Sequence, residues 1–370
     1  MGVKTMAMNE LVQTATKFAS CHIAPDAMET DHFAPRFPEE IFEAGIEAGF
    51  DRFILPESAG GNGFAPADLC ALVKTLAESC AGHAMVFGIH AAALKALYDS
   101  ASPNSARLVE KILSSRQPLS PAIPDPISSA DFEPSLTAAQ GKTFQIFGPG
   151  GLAVNGSGSA WFILFAKTAD GTPLAVLCPS DFETLVAGEP EPALGLRAMP
   201  ICALRVENHQ VPEANVIAVG DDALFFYRSL VSVVCLVAAS AACGLMGSAV
   251  KKALKYAAER YQGGKMIIDH SHVRNILDRM RADAIASWGA VSHLAAQDPD
   301  HLAALGTKVS VTDSAVRVCT DAVQILGGYG YMRDYGLEKA MRDAAVLSLL
   351  PMSNARAELL ITAIEKDRLA

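Results

Sequence analysis

One uncharged segment limits what this chain can fold into. Residues Ser229 to Val250, SLVSVVCLVAASAACGLMGSAV, form a run of 22 residues without a charge, which is long enough to cross a bilayer. Serine, cysteine, alanine and glycine dilute its hydrophobicity, and the charged stretch KKALKYAAER follows it directly. A helix that is apolar on all sides belongs either in a membrane or at the centre of a large bundle. We predict the bundle helix and no membrane insertion.

Around this segment the sequence divides into three zones. From 1 to 117, apolar residues recur every three or four positions, as in amphipathic helices. From 118 to 220, runs such as TFQIFG, AWFILFAKT and ALRVENHQVP predict strands, and Asp-Gly in KTADGTPLAVL predicts a hairpin. From 221 to 370 the helical patterns return. We predict a mostly α-helical fold: an N-terminal helical domain, a small central β-barrel or β-sheet domain, and a C-terminal helical bundle.

Composition excludes several classes of protein. A formal charge of -10 argues against nucleic-acid partners and anionic membranes, which require clustered basic residues. A hydrophobic fraction of 51% over 370 residues predicts extensive buried surface, part of it between subunits. The eight cysteines contain no CxxC pair, which is typical of buried thiols in a reducing compartment. The first residues lack the apolar run of a signal peptide, so a cytoplasmic location is expected.

A glycine-rich stretch, ILGGYGYMRDYG, follows an apolar helical pattern that ends near Gln324. Gly327, Gly328 and Gly330 permit positive φ and leave the backbone uncovered, so a bulky ligand could approach closely. A helix C-cap followed by a tight turn would use the same glycines. The stretch by itself leaves both interpretations open.

The pair His270 and His272 has spacing that would allow two imidazoles to share a metal ion in an extended loop. A third ligand is not evident nearby, and a metal site requires three or four. We therefore expect polar residues at the start of a helix and no metal.

Four stretches together resemble the acyl-CoA dehydrogenase family of flavoproteins, in order and spacing, over nearly the whole chain. They are ILPESAGGNGFAPADLCALVKTLAESCAG, LGLRAMPICALRVENHQVPEANVI, ALKYAAERYQGGKMIIDHSHVRNILDRMRAD and QILGGYGYMRDYGLEKAMRDA. The QxxGGxGY…RD element is highly specific, whereas the matches in the β zone are weak. The resemblance implies the same helical, β, helical architecture. It also implies FAD as cofactor, an acyl-CoA thioester as substrate and an electron-transfer flavoprotein or similar acceptor.

The resemblance also assigns cofactor-binding residues. In this family FAD lies between the β domain and the bundle and reaches across a dimer interface. Arg260, in the stretch R-x-x-x-G-K, would bind the flavin pyrophosphate of the neighbouring subunit, because a guanidinium matches paired phosphate oxygens. Gln324, Gly327 and Gly328 would line the adenosine-diphosphate part by backbone approach, and Ser353 belongs to the same implied set.

The implied chemistry is α,β-desaturation, in which a carboxylate removes the α-proton while a hydride leaves for the flavin. Most members carry this glutamate where the present chain has Pro351. Others carry it immediately after the pyrophosphate arginine, where the present chain has Tyr261. Neither residue is a suitable base at neutral pH, so the catalytic residue is unknown. Asp334, Glu338 and His83 are the nearest alternatives by alignment.

The β zone departs from the family pattern as well. A Thr-Glu…Gly-Ser-Asp segment is replaced by SPAIPDPISSADF, and a Trp-x-Thr before Asn-Gly is replaced by Leu152-Ala153-Val154 before Asn155-Gly156. The usual side-chain contacts to the flavin ring are therefore expected to be absent from this chain.

Several functions remain open on the sequence. The chain could be a self-sufficient dehydrogenase with a relocated base, a base-free decarboxylating or desulfinating enzyme, or a non-catalytic binding or structural subunit. We favour the base-lacking partner of a homologous subunit, in a dimer or an α2β2 tetramer. The small residues Gly82, Ala84 and Gly88 are compatible with a roomy acyl cavity and equally with a tight helix crossing.

Overall fold

The computed structural model describes residues 2–33, 35–100, 102–124, 132–141, 143–180, 183–297 and 300–369. The N-terminal helices are α1 (Gly2–Phe18), α2 (Ala24–His32), α3 (Glu39–Glu47), α4 (Pro66–Ala77), α5 (Ala81–Asp99) and α6 (Ser105–Ser115). The strands of the central sheet are β1 (Leu119–Ile123), β2 (Leu136–Gln140), β3 (Phe144–Val154), β4 (Trp161–Thr168), β5 (Pro173–Pro179), β6 (Leu185–Pro190), β7 (Ile201–Val211) and β8 (Val216–Val219). The C-terminal elements are α7 (Asp221–Glu259), the short strands β9 (Tyr261–Gln262) and β10 (Lys265–Met266), α8 (Ser271–Ala295), α9 (His301–Leu326), α10 (Leu337–Leu347) and α11 (Asn354–Leu369). The predicted fold class, mostly helical with a central sheet, is confirmed.

Helix α7 contains the uncharged segment and runs through the interior of the molecule. Among the described residues it is the one helix long and apolar enough to cross a membrane, and 89% of its most apolar window is buried inside the chain. Helices α4 and α5 pack against it from the N-terminal region, and α8 and α9 pack against it from the C-terminal bundle. The apolar surface is therefore covered by protein, and α7 is not a membrane span.

Small residues allow α4, α5 and α7 to approach one another closely. A Cβ atom added to Gly88 would lie 2.5 Å from Val237 and 2.9 Å from Val73. A Cβ atom on Gly82 would lie 3.1 Å from Ala198, and Ala84 is completely buried. Of the two uses that the sequence left open for these residues, the structure supports close packing and not a roomy acyl cavity.

The central sheet has eight strands in the order β6-β7-β3-β1-β4-β5-β8, and β2 also pairs with β3 and β4. Strands β1 and β2 therefore both lie between β3 and β4, one at each end of the long strand β3. The predicted hairpin is confirmed, because β4 and β5 are antiparallel around Asp170-Gly171 and Gly171 has a φ of +86°. Strand β1 was not predicted, since the proline in LSPAI weakens the pattern.

A buried ionic network fastens the N-terminal helices to α10. The Arg342 guanidinium donates to Asp31 Oδ2 at 2.5 Å and to the Leu194 carbonyl at 2.8 Å. Asp343, completely buried, accepts from the Leu196 amide at 2.7 Å. Because each charge is paired, the network joins α2, α10 and the loop between β6 and β7 without leaving an isolated buried charge.

A buried lysine organises the loop between α10 and α11. The Lys308 ammonium, on α9, donates to the carbonyls of Ser348 and Met352 at 2.8 and 2.7 Å and to Asn354 Oδ1 at 2.6 Å. Burial lowers its pKa from 10.5 to about 8, against the opposite influence of Cys235 and Asp313. Lys308 thus anchors the segment that contains Pro351.

We predict that Lys308→Met lowers the free energy of unfolding by about 2 kcal/mol, because one buried and two partly buried oxygen atoms lose their donor. Between about pH 8 and pH 10.5 the unfolded chain retains a proton that the folded chain has released. The contribution of Lys308 to stability therefore rises with pH in this window. Urea unfolding at pH 7.5 and pH 10 measures both effects.

The exposed Lys111→Met on α6 is the matched control, expected to change stability by less than about 0.5 kcal/mol. Equal stability of Lys308→Met and the wild type at both pH values would contradict the anchoring role.

Candidate functional site

A cleft of about 950 Å³ opens where the ends of several bundle elements meet. The C-terminal end of α7, the β9–β10 hairpin, the start of α8 and the turn after α9 surround it. Its lining residues are Tyr256, Arg260, Gln262, Gly263, Ile267, His270, Val273, Gln324, Ile325, Leu326, Gly327, Gly328, Tyr329, Met332, Asp334 and Tyr335. A cleft of this volume accommodates a mononucleotide or a larger part of a dinucleotide.

Arg260 is the C-cap residue of α7, where the chain turns into the β9–β10 hairpin. Its amide donates to the Tyr256 carbonyl at 2.9 Å, and its carbonyl accepts from the Ile267 amide at 2.8 Å. The intervening hairpin turns at Gly263 and Gly264, whose φ angles are +66° and +86°. Within the described part of the chain no carboxylate forms an ion pair with Arg260, so its guanidinium is available to an anionic ligand.

The glycines after α9 differ in their structural roles. A Cβ atom added to Gly327 or Gly328 would meet nothing within 4 Å, so both leave open backbone on the cleft. A Cβ atom on Gly330 would lie 2.3 Å from the Val323 carbonyl oxygen, so Gly330 serves the packing of the turn. The sequence does not distinguish these glycines, whereas the structure shows that Gly327 and Gly328 leave backbone open to the cleft and that Gly330 allows the turn to pack.

Aromatic rings and a lysine hold the shape of the cleft. Tyr256, Tyr329 and Tyr335 pack against one another with ring centroids 5.7 to 6.4 Å apart. The Lys252 ammonium donates to the Tyr335 carbonyl at 3.0 Å. Sequence reasoning missed Lys252 and Tyr256, although they precede Arg260 at intervals of four residues and therefore share its side of the helix.

The two histidines of the HxH pair have different surroundings. His270 lines the cleft, and its Nε2 lies 2.9 Å from the Gln262 carbonyl oxygen, which ties the hairpin to the start of α8. His272 is exposed on the first turn of α8. The described residues contain no group of three or more metal-ligating side chains.

Most of the predicted cofactor residues lie together in this cleft. Arg260, Gln324, Gly327 and Gly328 all line it, although they come from two separate helices. One guanidinium, open glycine backbone and an aromatic wall fit the adenosine-diphosphate part of FAD. Ser353 lies elsewhere, at the start of α11, where its Oγ accepts from the Arg356 amide at 3.2 Å. Binding of FAD by these residues stays a prediction.

A second and much smaller cavity, of about 20 Å³, lies beside Pro351. It is lined by Pro121, Ala122, Pro124, Val154, Phe165, Tyr227, Leu230, Val231, Val234 and Pro351. Pro351 and Val154, two of the positions at which the chain departs from the family pattern, therefore line the same small space. The space holds about one water molecule, and the described residues that line it include no carboxylate. Its described residues do not fit a flavin ring. Three of these lining residues, Pro121, Ala122 and Pro124, belong to the replaced segment SPAIPDPISSADF, of which 125–131 lie outside the described residues.

None of the alternative bases lines the cavity beside Pro351. Tyr261 is exposed on the hairpin, Asp334 borders the large cleft, and the Glu338 carboxylate accepts from Arg342 at 2.7 Å. His83 is completely buried and donates from Nε2 to Asp26 at 3.0 Å. Burial lowers its pKa, but Cys80 and Asp26 together raise it to about 9. His83 therefore carries a proton at neutral pH and cannot accept one.

Comparison with known proteins gives matches over most of the chain. Residues 5–113 match the family described as "Acyl-CoA dehydrogenase, N-terminal domain", and residues 234–351 match "Acyl-CoA dehydrogenase, C-terminal domain". The probable acyl-CoA dehydrogenase FadE25 of Mycobacterium tuberculosis is 27% identical over 361 residues, which cover 94% of this chain and 92% of that protein.

Solved structures share the fold. Butyryl-CoA dehydrogenase from Megasphaera elsdenii superimposes with a TM-score of 0.90 at 20% identity, covering 97% of this chain and 98% of that one. Glutaryl-CoA dehydrogenase from Mycobacterium smegmatis, solved in complex with FADH2, has a TM-score of 0.89 at 16% identity, covering 98% and 95%. The helical, sheet, helical arrangement is thus the arrangement of these flavoenzymes.

Two alanine substitutions in the glycine turn separate ligand approach from folding. We predict that Gly328→Ala leaves the melting temperature unchanged, because a Cβ atom there meets only open space. It should weaken the binding of ADP about tenfold, because the methyl group intrudes on the cleft. Gly330→Ala should lower the melting temperature by several degrees, because the turn must move away from Val323.

Calorimetric titration of the purified variants with ADP measures the first effect, and thermal unfolding measures the second. Wild-type affinity for ADP in Gly328→Ala would exclude close backbone approach at this position.

Proposed function

The chain belongs to the acyl-CoA dehydrogenase family, and we propose that it is the base-lacking subunit of a heteromeric acyl-CoA dehydrogenase. A homologous partner chain supplies the catalytic carboxylate and the contacts to the flavin ring. The observation that supports this proposal is the difference between the large cleft at Arg260 and the small cavity beside Pro351. The cleft around Arg260 retains the groups that suit the adenosine-diphosphate part of FAD, whereas the cavity beside Pro351 is small, and the described residues that line it are apolar or aromatic and include no carboxylate.

The residues of the large cleft have a defined part in such an enzyme. FAD, when bound, supplies the hydride acceptor. Arg260 neutralises the pyrophosphate with its guanidinium, and the open backbone at Gly327 and Gly328 lets the ligand lie against the end of α9. Gln324 and the three packed tyrosines orient the rest of the nucleotide. These residues bind and position the cofactor, and none of them removes a proton from the substrate.

The lack of a suitable base at the usual positions favours a partner subunit that supplies the base over a base elsewhere in this chain. Removal of the α-proton of a thioester requires a carboxylate in a desolvated site, close to donors for the thioester oxygen. Pro351 cannot accept a proton, and the alternatives in this chain are exposed, already paired or protonated. A carboxylate from a second chain meets the requirement without a rearrangement of this one.

The surface around the cleft is suited to a subunit interface. Tyr261, Tyr329, Tyr331 and Met332 expose large apolar or aromatic side chains around its rim. Such residues are enriched at the centres of interfaces. We propose an FAD site shared across this surface, in a dimer or an α2β2 tetramer, with an acyl-CoA thioester as substrate and an electron-transfer flavoprotein or similar acceptor. All eight cysteines lie in the described part of the chain and none forms a disulfide, which suits a cytoplasmic location.

Reconstitution with a homologous chain tests the proposal. The chain purified alone should be colourless and should not reduce a dye acceptor with any acyl-CoA. After co-expression with an acyl-CoA dehydrogenase chain that retains the glutamate, the complex should contain FAD and should be active. Absorbance at the flavin band and dye reduction are the measurements.

Stoichiometric FAD in the lone chain, bleached by an acyl-CoA, would contradict the need for a partner. A yellow complex without turnover on any thioester would instead identify a binding or structural subunit.

The role of Arg260 is tested in the same complex. We predict that Arg260→Met weakens FAD binding tenfold to a hundredfold, because a charge-assisted contact with phosphate contributes about 1.5–3 kcal/mol. Lys251→Met removes one positive charge from the same helix, outside the cleft lining. It should leave FAD binding unchanged. Flavin release measured by fluorescence distinguishes the two variants, and equal affinities would remove Arg260 from the cofactor site.

A further inference from the structure

A second group of titratable side chains lies outside the cleft, where the start of α5 meets α2 and α10. Cys80 is the N-cap of α5, and His83 lies in the first turn of that helix. Lys339 and Asp343 come from α10, and Asp26 comes from α2. Cys80, His83, Lys339 and Asp343 are all buried. The proposed function uses none of them.

The contacts within this group are short and directional. The Lys339 ammonium donates to Cys80 Sγ at 3.3 Å and to Asp343 Oδ2 at 2.5 Å. His83 donates from Nε2 to Asp26. The other ring nitrogen of His83, Nδ1, is buried without a conventional partner and faces the Cys80 thiol. The thiol therefore lies between an ammonium and an imidazole at the N-terminus of a helix, an environment that favours thiolate.

Charge distinguishes Cys80 from the other buried thiols. Burial raises its pKa, but Lys339 and then His83 lower it, and the result is about 7, in spite of the opposing charge of Asp343. Burial raises the pKa of Cys70 to about 11, against a lowering hydrogen bond with Ser240, and burial together with the charge of Asp343 raises the pKa of Cys319 to about 12. Two further thiols of α7 behave in the same way, at Cys235 and Cys243.

Cys80 lies at the turn between α4 and α5. It follows the exposed Glu78 and the half-buried Ser79 at the end of α4. Cys235 and Cys319, by contrast, lie within the long bundle helices α7 and α9.

We propose that Cys80 is a site of reversible oxidation by small hydroperoxides, with His83 as the proton donor. The Cys80 thiolate attacks one peroxide oxygen, so an S–O bond forms as the O–O bond breaks. The sulfur loses two electrons and hydrogen peroxide gains them. The departing hydroxide takes the proton of His83 and leaves as water. The product is a sulfenic acid at Cys80, which thiols reduce back to the starting state.

Site-resolved trapping in the wild-type chain tests this proposal without any substitution. The folded protein, or its complex with a partner chain, is treated with hydrogen peroxide at pH 7.5 in the presence of dimedone and analysed by mass spectrometry. Cys80 should be labelled about tenfold or more faster than the equally buried Cys70 and Cys319. A lower pKa raises the thiolate fraction more than it reduces intrinsic nucleophilicity, which scales with a Brønsted coefficient of about 0.4–0.5.

Labelling confined to the exposed Cys21, or equal at all buried thiols, would overturn the proposal. His83→Gln tests the proton donor separately. In a variant that melts as the wild type does, oxidation of Cys80 should slow severalfold, and an unchanged rate would remove His83 from the step.

The pH profile of Cys80 alkylation gives a readout that a purely structural role would not move. The groups facing the thiol are His83 on its own helix, Lys339 and Asp343 on α10, and Asp26 behind His83 on α2. Wild-type alkylation should level off above about pH 7, and His83→Gln should shift this midpoint upward.

Discussion

Burial of the long helix α7 is the constraint on which the rest of the structure depends. Its uncharged middle must be covered on every side, because apolar surface left in water costs about 25 cal/mol per Å². Helices from the N-terminal region cover one side and helices from the C-terminal bundle cover the other. One continuous hydrophobic core consequently joins the two helical parts of the chain, and the sheet adds a second, smaller core.

The same arrangement decides where chemistry can occur. The middle of helix α7 carries no charged side chain, so the groups that line the large cleft lie at its end, near Arg260, and at the neighbouring end of α9. Open backbone at the glycine turn and a single unpaired guanidinium make this end of the bundle suitable for phosphate. The surroundings of Pro351 are different. Lys308 fixes the loop there, and apolar side chains line the small cavity.

Sequence patterns predicted correctly those elements whose structure depends mainly on neighbouring residues. The uncharged run predicted a buried helix, Asp170-Gly171 predicted a hairpin, and the QxxGGxGY element placed Gln324 and two glycines in the cleft that Arg260 enters. Strand β1 was missed because its hydrogen bonds come from distant strands, which compensate for a proline. The different tasks of Gly328 and Gly330 were also missed, because a glycine in a sequence does not reveal what a side chain there would meet.

By itself, the sequence determined the fold class, the family, four residues of the large cleft (Arg260, Gln324, Gly327 and Gly328) and the lack of a carboxylate at position 351, because periodicity, turn chemistry and residue type can be read locally. Only the tertiary structure decided that the described space beside Pro351 is small and that Gly88 serves a helix crossing. It alone brought Cys80 and His83 against Lys339, which lies far away along the chain. Such properties depend on which distant atoms share a space, and therefore on the packing of all helices around α7.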